Sequence, residues 1–203
     1  MALSAAAREH LATRKYHDRQ FDIMAVKVLP GEYYATQDDV MITTLLGSCV
    51  AVCLYDPKIH AGGMNHFLLP EGDASDFLSE SGRYGVYAME MLINHLLKLG
   101  ARRERFRAKI FGGGNVIRGM THNNVGGNNA DFIQTYLKNE GIPIEASDLL
   151  DIYPRRVNFF PASGRVMMKK LVNHYDNEFI NEEMRYKQAV TKSRQETGDI
   201  DLF

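Results

Sequence analysis

The chain has 203 residues, 45% hydrophobic and 24% charged, enough to bury a core in one domain, so disorder is excluded as the default. Its 24 Lys+Arg nearly balance 25 Asp+Glu, so it lacks the basic excess of a domain that grips nucleic acid through phosphates. No apolar run approaches the roughly 20 residues of a membrane span or forms a signal-peptide core, and a cytoplasmic protein without membrane insertion is expected.

Residues 1–20 read as an alanine-rich extension of helical character, residues 21–172 as the folded domain and residues 173–203 as a charged tail. IMAVKVLPG, from Ile23, reads as a strand ending in a Pro30–Gly31 turn. VMITTLLGSCVAVCLYDP (Val40–Pro57) is apolar and β-branched, broken only at Gly47 and Ser48, and reads as two buried strands meeting at a sharp bend. AGGMNHFLLP (Ala61–Pro70) is a third strand.

After a polar loop, Tyr84, Ala88, Met91, Leu92, His95, Leu96 and Leu99 mark one helical face, with Ser81 placed to cap its start and Gly100 to end it. The cluster Arg102, Arg103, Arg105 and Arg107 reads as a solvated face. AKIFGGG (Ala108–Gly114) is a strand running into glycines, THNNVGGNN a loop, and a second helix is predicted over about Ala130–Glu140. The segment Arg156–Leu171 is a hairpin around Ser163–Gly164. This order predicts an α/β (α+β) layered sandwich of mixed, largely antiparallel strands with two principal helices packed outside.

The reactive side chains concentrate between Thr43 and His66. Cys49 and Cys53, four apart in an extended stretch, have Cα atoms ~13 Å apart, too far for a disulfide. Reduced thiols follow. Cys49 stands on the Gly47–Ser48 bend, where a thiol and backbone N–H groups suited to an oxyanion can be presented together. A thiol with a pKa near ~8.5 needs a base, and imidazole is the usual one. His66, 17 residues on, can return on a neighbouring strand, sharing a face with Met64 and Leu68. The plainer alternatives are a core histidine bonded to backbone and a small buried hydrophobe at Cys49, which Cys53 certainly resembles. Nucleophilic chemistry requires sulfur and imidazole to meet in a solvent-reachable groove.

TTLLGSCVAVCLYDP, GGMNHFLLP, AKIFGGGN, NEGIP and FFPASGRVMMKKL, in that order across about residues 25–171, resemble the CheD family of chemoreceptor glutamine deamidases. The resemblance implies a fold related to the catalytic domain of cytotoxic necrotizing factor toxins. It implies Cys49 as nucleophile, His66 as general base and Thr43, six residues before the cysteine, as the residue that orients the imidazole. The neighbouring Thr44 points to the other face of the strand. Backbone at Gly47 and Ser48 is the expected oxyanion site, and Asn65 and Asn115, with His122, Asn123 and Asn124, are candidates for the lip. Asn65 departs from the family pattern, which has a small residue there.

The implied reaction is protein-glutamine glutaminase chemistry through a Cys49 thioester, with no cofactor or metal and with methylesterase activity as a side reaction. The implied substrates are methyl-accepting chemotaxis receptors, with a CheC-type phosphatase as a further partner. The competing hypothesis is a chemotaxis adaptor that binds receptors or the phosphatase without catalysis. A zinc site from Cys49, Cys53, His60 and His66 lacks usual ligand spacing, and FGGGNVIRG lacks the dinucleotide-binding glycine pattern.

Overall fold

The structure, a computed structural model, describes residues 10–69, 77, 79–116 and 125–172. Its strands are β1 (Arg14–Asp18), β2 (Ile23–Lys27), β3 (Tyr33–Thr36), β4 (Met41–Leu46), β5 (Val50–Asp56), β6 (Ala61–Phe67), β7 (Arg107–Gly112), β8 (Ile144–Leu149), β9 (Arg155–Phe160) and β10 (Arg165–Lys170). Helix α1 spans Glu80–Lys98 and α2 spans Val125–Asn139. Two five-stranded sheets form, in the orders β1-β2-β4-β9-β10 and β3-β6-β5-β7-β8. Among these strands, β2–β4 and β7–β8 pair in parallel and the other pairs are antiparallel.

Alternation along β5 sets the layers. Val50, Val52 and Leu54 pack with Leu92, Leu96, Phe132 and Ile133 of the helices. Ala51, Cys53 and Tyr55 face the other way, into a core with Val26, Ile42, Leu46, Val157 and Phe159 of the first sheet. β5 is therefore buried on both faces, which its unbroken apolar run encodes. The molecule is a mixed α+β stack of helices, sheet and second sheet.

Several expectations need correction. The two strands that meet at the Gly47–Ser48 bend join different sheets: β4 pairs in one and β5 in the other, so the bend is a corner between sheets. The boundary at residue 20 falls inside the fold, because β1 pairs along its length with β2 and Ala12 N–H donates to Tyr33 O. Residues 1–9 and 173–203 lie outside the described residues. β3 is four residues long, and β8 is a mostly exposed edge strand whose polar sequence hides it. Ser79 caps α1, accepting from Gly82 N–H at 3.0 Å, while Ser81 is buried in the first turn. α2 starts five residues earlier than predicted.

The arginine cluster is also more than a solvated face. Arg105 pairs at 2.6 Å with Asp56, whose side chain is fully buried and also accepts from the N–H groups of Lys58 and Arg102. Arg103 links Glu90 of α1 to Glu140 beyond α2. Asp56→Ala, which strips these bonds from the end of β5, is expected to lower unfolding free energy by about 2–3 kcal/mol, measured by urea denaturation.

Candidate active site

Gly47, Ser48 and Cys49 form the corner, and each of their carbonyls is held. Gly114 N–H donates to Gly47 O at 2.6 Å, and Gly113 N–H donates to Cys49 O at 2.8 Å. Asn129 Nδ2 donates to Ser48 O at 2.8 Å. These contacts explain the glycine run. Gly112 has φ +115°, and a Cβ on it would stand 2.1 Å from Cys49 O. Gly126, in the first turn of α2, lies so close to the run that its Cβ would meet Gly113 O at 2.4 Å. Residues 125–129, read from the sequence as the end of a loop, instead begin α2, with glycine where the backbones approach closely.

His66 pairs with Ala51 in the β5–β6 register. Its flanking face-mates Met64 and Leu68 share the inter-sheet core with Cys49 and Ala51. Cys49 directly precedes Val50, which pairs with Phe67, so Cys49 and His66 flank the last pair of the β5–β6 ladder. The two residues are buried rather than open to a groove among the described residues: Cys49 is 1% exposed and His66 3%.

Across the gap between sheets, Thr44 Oγ1 lies 2.8 Å from His66 Nδ1 and donates to Val28 O at 2.7 Å. The hydroxyl has one proton, and the carbonyl takes it. Thr44 must then accept from Nδ1–H, which leaves the lone pair of the neutral imidazole on Nε2. Nε2 is buried and has no hydrogen-bond partner among the described residues. The expectation for Thr43 does not fit. Its hydroxyl donates to Asn158 Oδ1 at 2.6 Å on the outer side of β4, and the residue at the imidazole is Thr44. A bend between sheets turns the inner face of β4 towards β6, which no spacing count reveals.

Burial lowers the His66 pKa to about 3, with Lys27 adding repulsion and the nearby Val28 carbonyl opposing. Burial likewise pushes the Cys53 thiol up, and it is fully buried beside Met64. Both cysteines are free of disulfides.

Asn65 is not at a lip. It is buried on the helix side of β6, where Oδ1 accepts from Val52 N–H and Nδ2 donates to Ala88 O. Asn115 is exposed next to Gly114, with its N–H donating to Asp151 O at 2.7 Å. Residues 122–124 lie outside the described residues. His60 is exposed and bonded to Ala162 O, away from the two cysteines' core, and no cluster suited to a metal occurs among the described residues.

Asn129 escaped the sequence reading. Its signal is a polar residue on the stripe of Gly126, Ala130, Ile133 and Leu137, all buried.

A family model described as CheD chemotactic sensory transduction matches residues 68–170. The chain is 54% identical to a protein of Shewanella oneidensis named probable chemoreceptor glutamine deamidase CheD 1, over 93% of this chain and 92% of the relative. The chain belongs to the CheD family. Proteins of Dechloromonas aromatica (51% identical, 96% of each chain) and Janthinobacterium sp. (51%, 99% of this chain and 100% of the relative), also named probable chemoreceptor glutamine deamidases, match over nearly their full extent. A solved structure, the hypothetical protein YfiH of Bacillus licheniformis, overlays with a TM-score of 0.35 at 17% identity over 58% of this chain and 51% of that one, too slight to bear on fold or function.

Two outcomes follow from this CheD geometry. An imidazole neutral in the fold but protonated in the unfolded chain below about 6.5 makes stability fall as pH drops from there towards about 3. Urea denaturation of wild type against His66→Gln should show a difference that changes by about 1.4 kcal/mol per pH unit in that window and is flat above it. Gly112→Ala strains a left-handed position and pushes on the Cys49 carbonyl, so it should cost at least about 1–3 kcal/mol on the same measurement.

Proposed function

We propose that this CheD-family protein is a protein-glutamine glutaminase that converts glutamine side chains of chemoreceptors to glutamate, using Cys49 as nucleophile and His66 as base. The observation that carries the proposal is the Val28–Thr44–His66 chain, which directs the imidazole lone pair to Nε2 on the sheet face that holds Cys49. The names of the relatives supply the substrate class.

In the reaction, Nε2 takes the Cys49 proton and the sulfur attacks the carboxamide carbon, forming a tetrahedral oxyanion near the backbone N–H of Cys49. Nε2 returns the proton to the nitrogen, ammonia leaves and a thioester remains. Water, deprotonated by Nε2, then attacks the thioester, and the Cys49 thiol is restored as glutamate departs. Thr44 keeps Nδ1 protonated and steadies the imidazolium formed on the way.

The sealed site is a resting state in this reading. A base held at about 3 is too weak for a thiol, so substrate entry must open the corner and bring polar surroundings that raise the imidazole pKa. The near-complete burial of Cys49 and His66 motivates this step. A cytoplasmic location, a fold related to cytotoxic necrotizing factor and a CheC-type partner belong to the same reading and rest on the sequence resemblance.

Mass spectrometry of a chemoreceptor cytoplasmic fragment incubated with the protein should find glutamine converted to glutamate, with none after Cys49→Ala. A fragment left unchanged by wild type would sink the proposal. Thr44→Val should lower kcat for ammonia release by roughly 10²-fold, whereas Thr43→Val should leave it within about twofold. Equal losses would return the orienting role to Thr43.

A further inference from the structure

Asn129 is fully buried, and both ends of its amide are used by the active-site elements. Oδ1 accepts from Leu69 N–H at 2.8 Å, three residues past His66, and Nδ2 donates to Ser48 O at 2.8 Å, one residue before the thiol. The partners fix which end is oxygen, because an N–H requires the acceptor and a carbonyl requires the donor. Of the three carbonyls at the corner, two are held by backbone of the glycine run, and that of Ser48 is held by a side chain.

α2 packs on the helix side of β5 and β7, and Asn129 reaches the Ser48 carbonyl from that helix. In a trans peptide the N–H of the next residue points the opposite way. The Cys49 N–H is thereby directed away from Asn129, and the Cys49 side chain belongs to the inter-sheet core with Met64 and Leu68, the face-mates of His66.

We infer that Asn129 is a positioning residue for catalysis: by holding the Ser48 carbonyl it turns the Ser48–Cys49 peptide so that the Cys49 N–H meets the oxyanion formed on the substrate amide. The inference rests on the deamidase reading above and adds to it the residue that sets the oxyanion donor. It also sets Asn129 apart from the thiol's own reactivity, since alkylation of sulfur by iodoacetamide proceeds by displacement and generates no oxyanion.

The test compares Asn129→Asp, which keeps an acceptor for Leu69 but loses the donor for Ser48, with Asn129→Gln, which retains both groups at a shifted position. Ammonia release from a receptor fragment gives kcat and KM, and mass spectrometry gives the iodoacetamide alkylation rate of Cys49. The expected result for Asn129→Asp is a kcat roughly 10–100-fold lower with KM and alkylation rate each within about threefold of wild type. Asn129→Gln should recover part of the lost kcat. A kcat unchanged in both variants, or an alkylation rate falling in step with kcat, would overturn the inference. Failure of the deamidase reading would show separately, as wild type releasing no more ammonia than Cys49→Ala.

Discussion

One hydrogen bond crosses the sandwich at the point where the chemistry is placed. Thr44 on β4 and His66 on β6 belong to different sheets, and their 2.8 Å contact exists only because the sheets are stacked with their apolar faces inward. Without a partner, a buried imidazole nitrogen would cost as much as any unsatisfied polar group. With Thr44 relaying the bond to Val28 O, one nitrogen is satisfied and the other is left with the lone pair. The tautomer of the base is therefore a consequence of the fold.

The nucleophile is fixed by different means. The Gly47–Cys49 corner sits at a sheet change, where regular pairing lapses and backbone carbonyls need other donors. The glycine run after β7 supplies two and Asn129 supplies the third. Each glycine in this arrangement is there for proximity: Gly112 stands against the Cys49 carbonyl, and Gly126 lets α2 approach the run. The helix layer, the middle sheet and the corner are thus coupled through backbone contacts a few ångströms long.

Much of this was legible in the amino-acid order. The double-sided burial of β5, the bend, the return of β6 with His66 beside Met64 and Leu68, and the hairpin β9–β10 all follow from apolar runs and alternation. What the order conceals is which sheet each strand joins. Thr43 and Thr44 look equivalent in sequence, and only stacking decides that Thr44 faces the imidazole while Thr43 faces Asn158. Glycine and asparagine in THNNVGGNN carry turn propensity, yet tertiary packing makes Val125 onward helical, and the second asparagine of its final pair becomes a buried clamp. The short β3 and the polar β8 have too little periodicity to stand out. The resemblance to CheD identified the family; the relation of its residues to one another required coordinates.

The claim beneath the account is that the Thr44 bond locks His66 as the neutral Nδ1–H tautomer. Nitrogen NMR of the protein with ¹⁵N-labelled histidine measures this directly. The account predicts a pyrrole-type Nδ1 and a pyridine-type Nε2 for His66 at neutral pH, with the pattern persisting in the folded protein well below the ordinary imidazole range. A protonated Nε2, or a ring that titrates near 6.5, would contradict it.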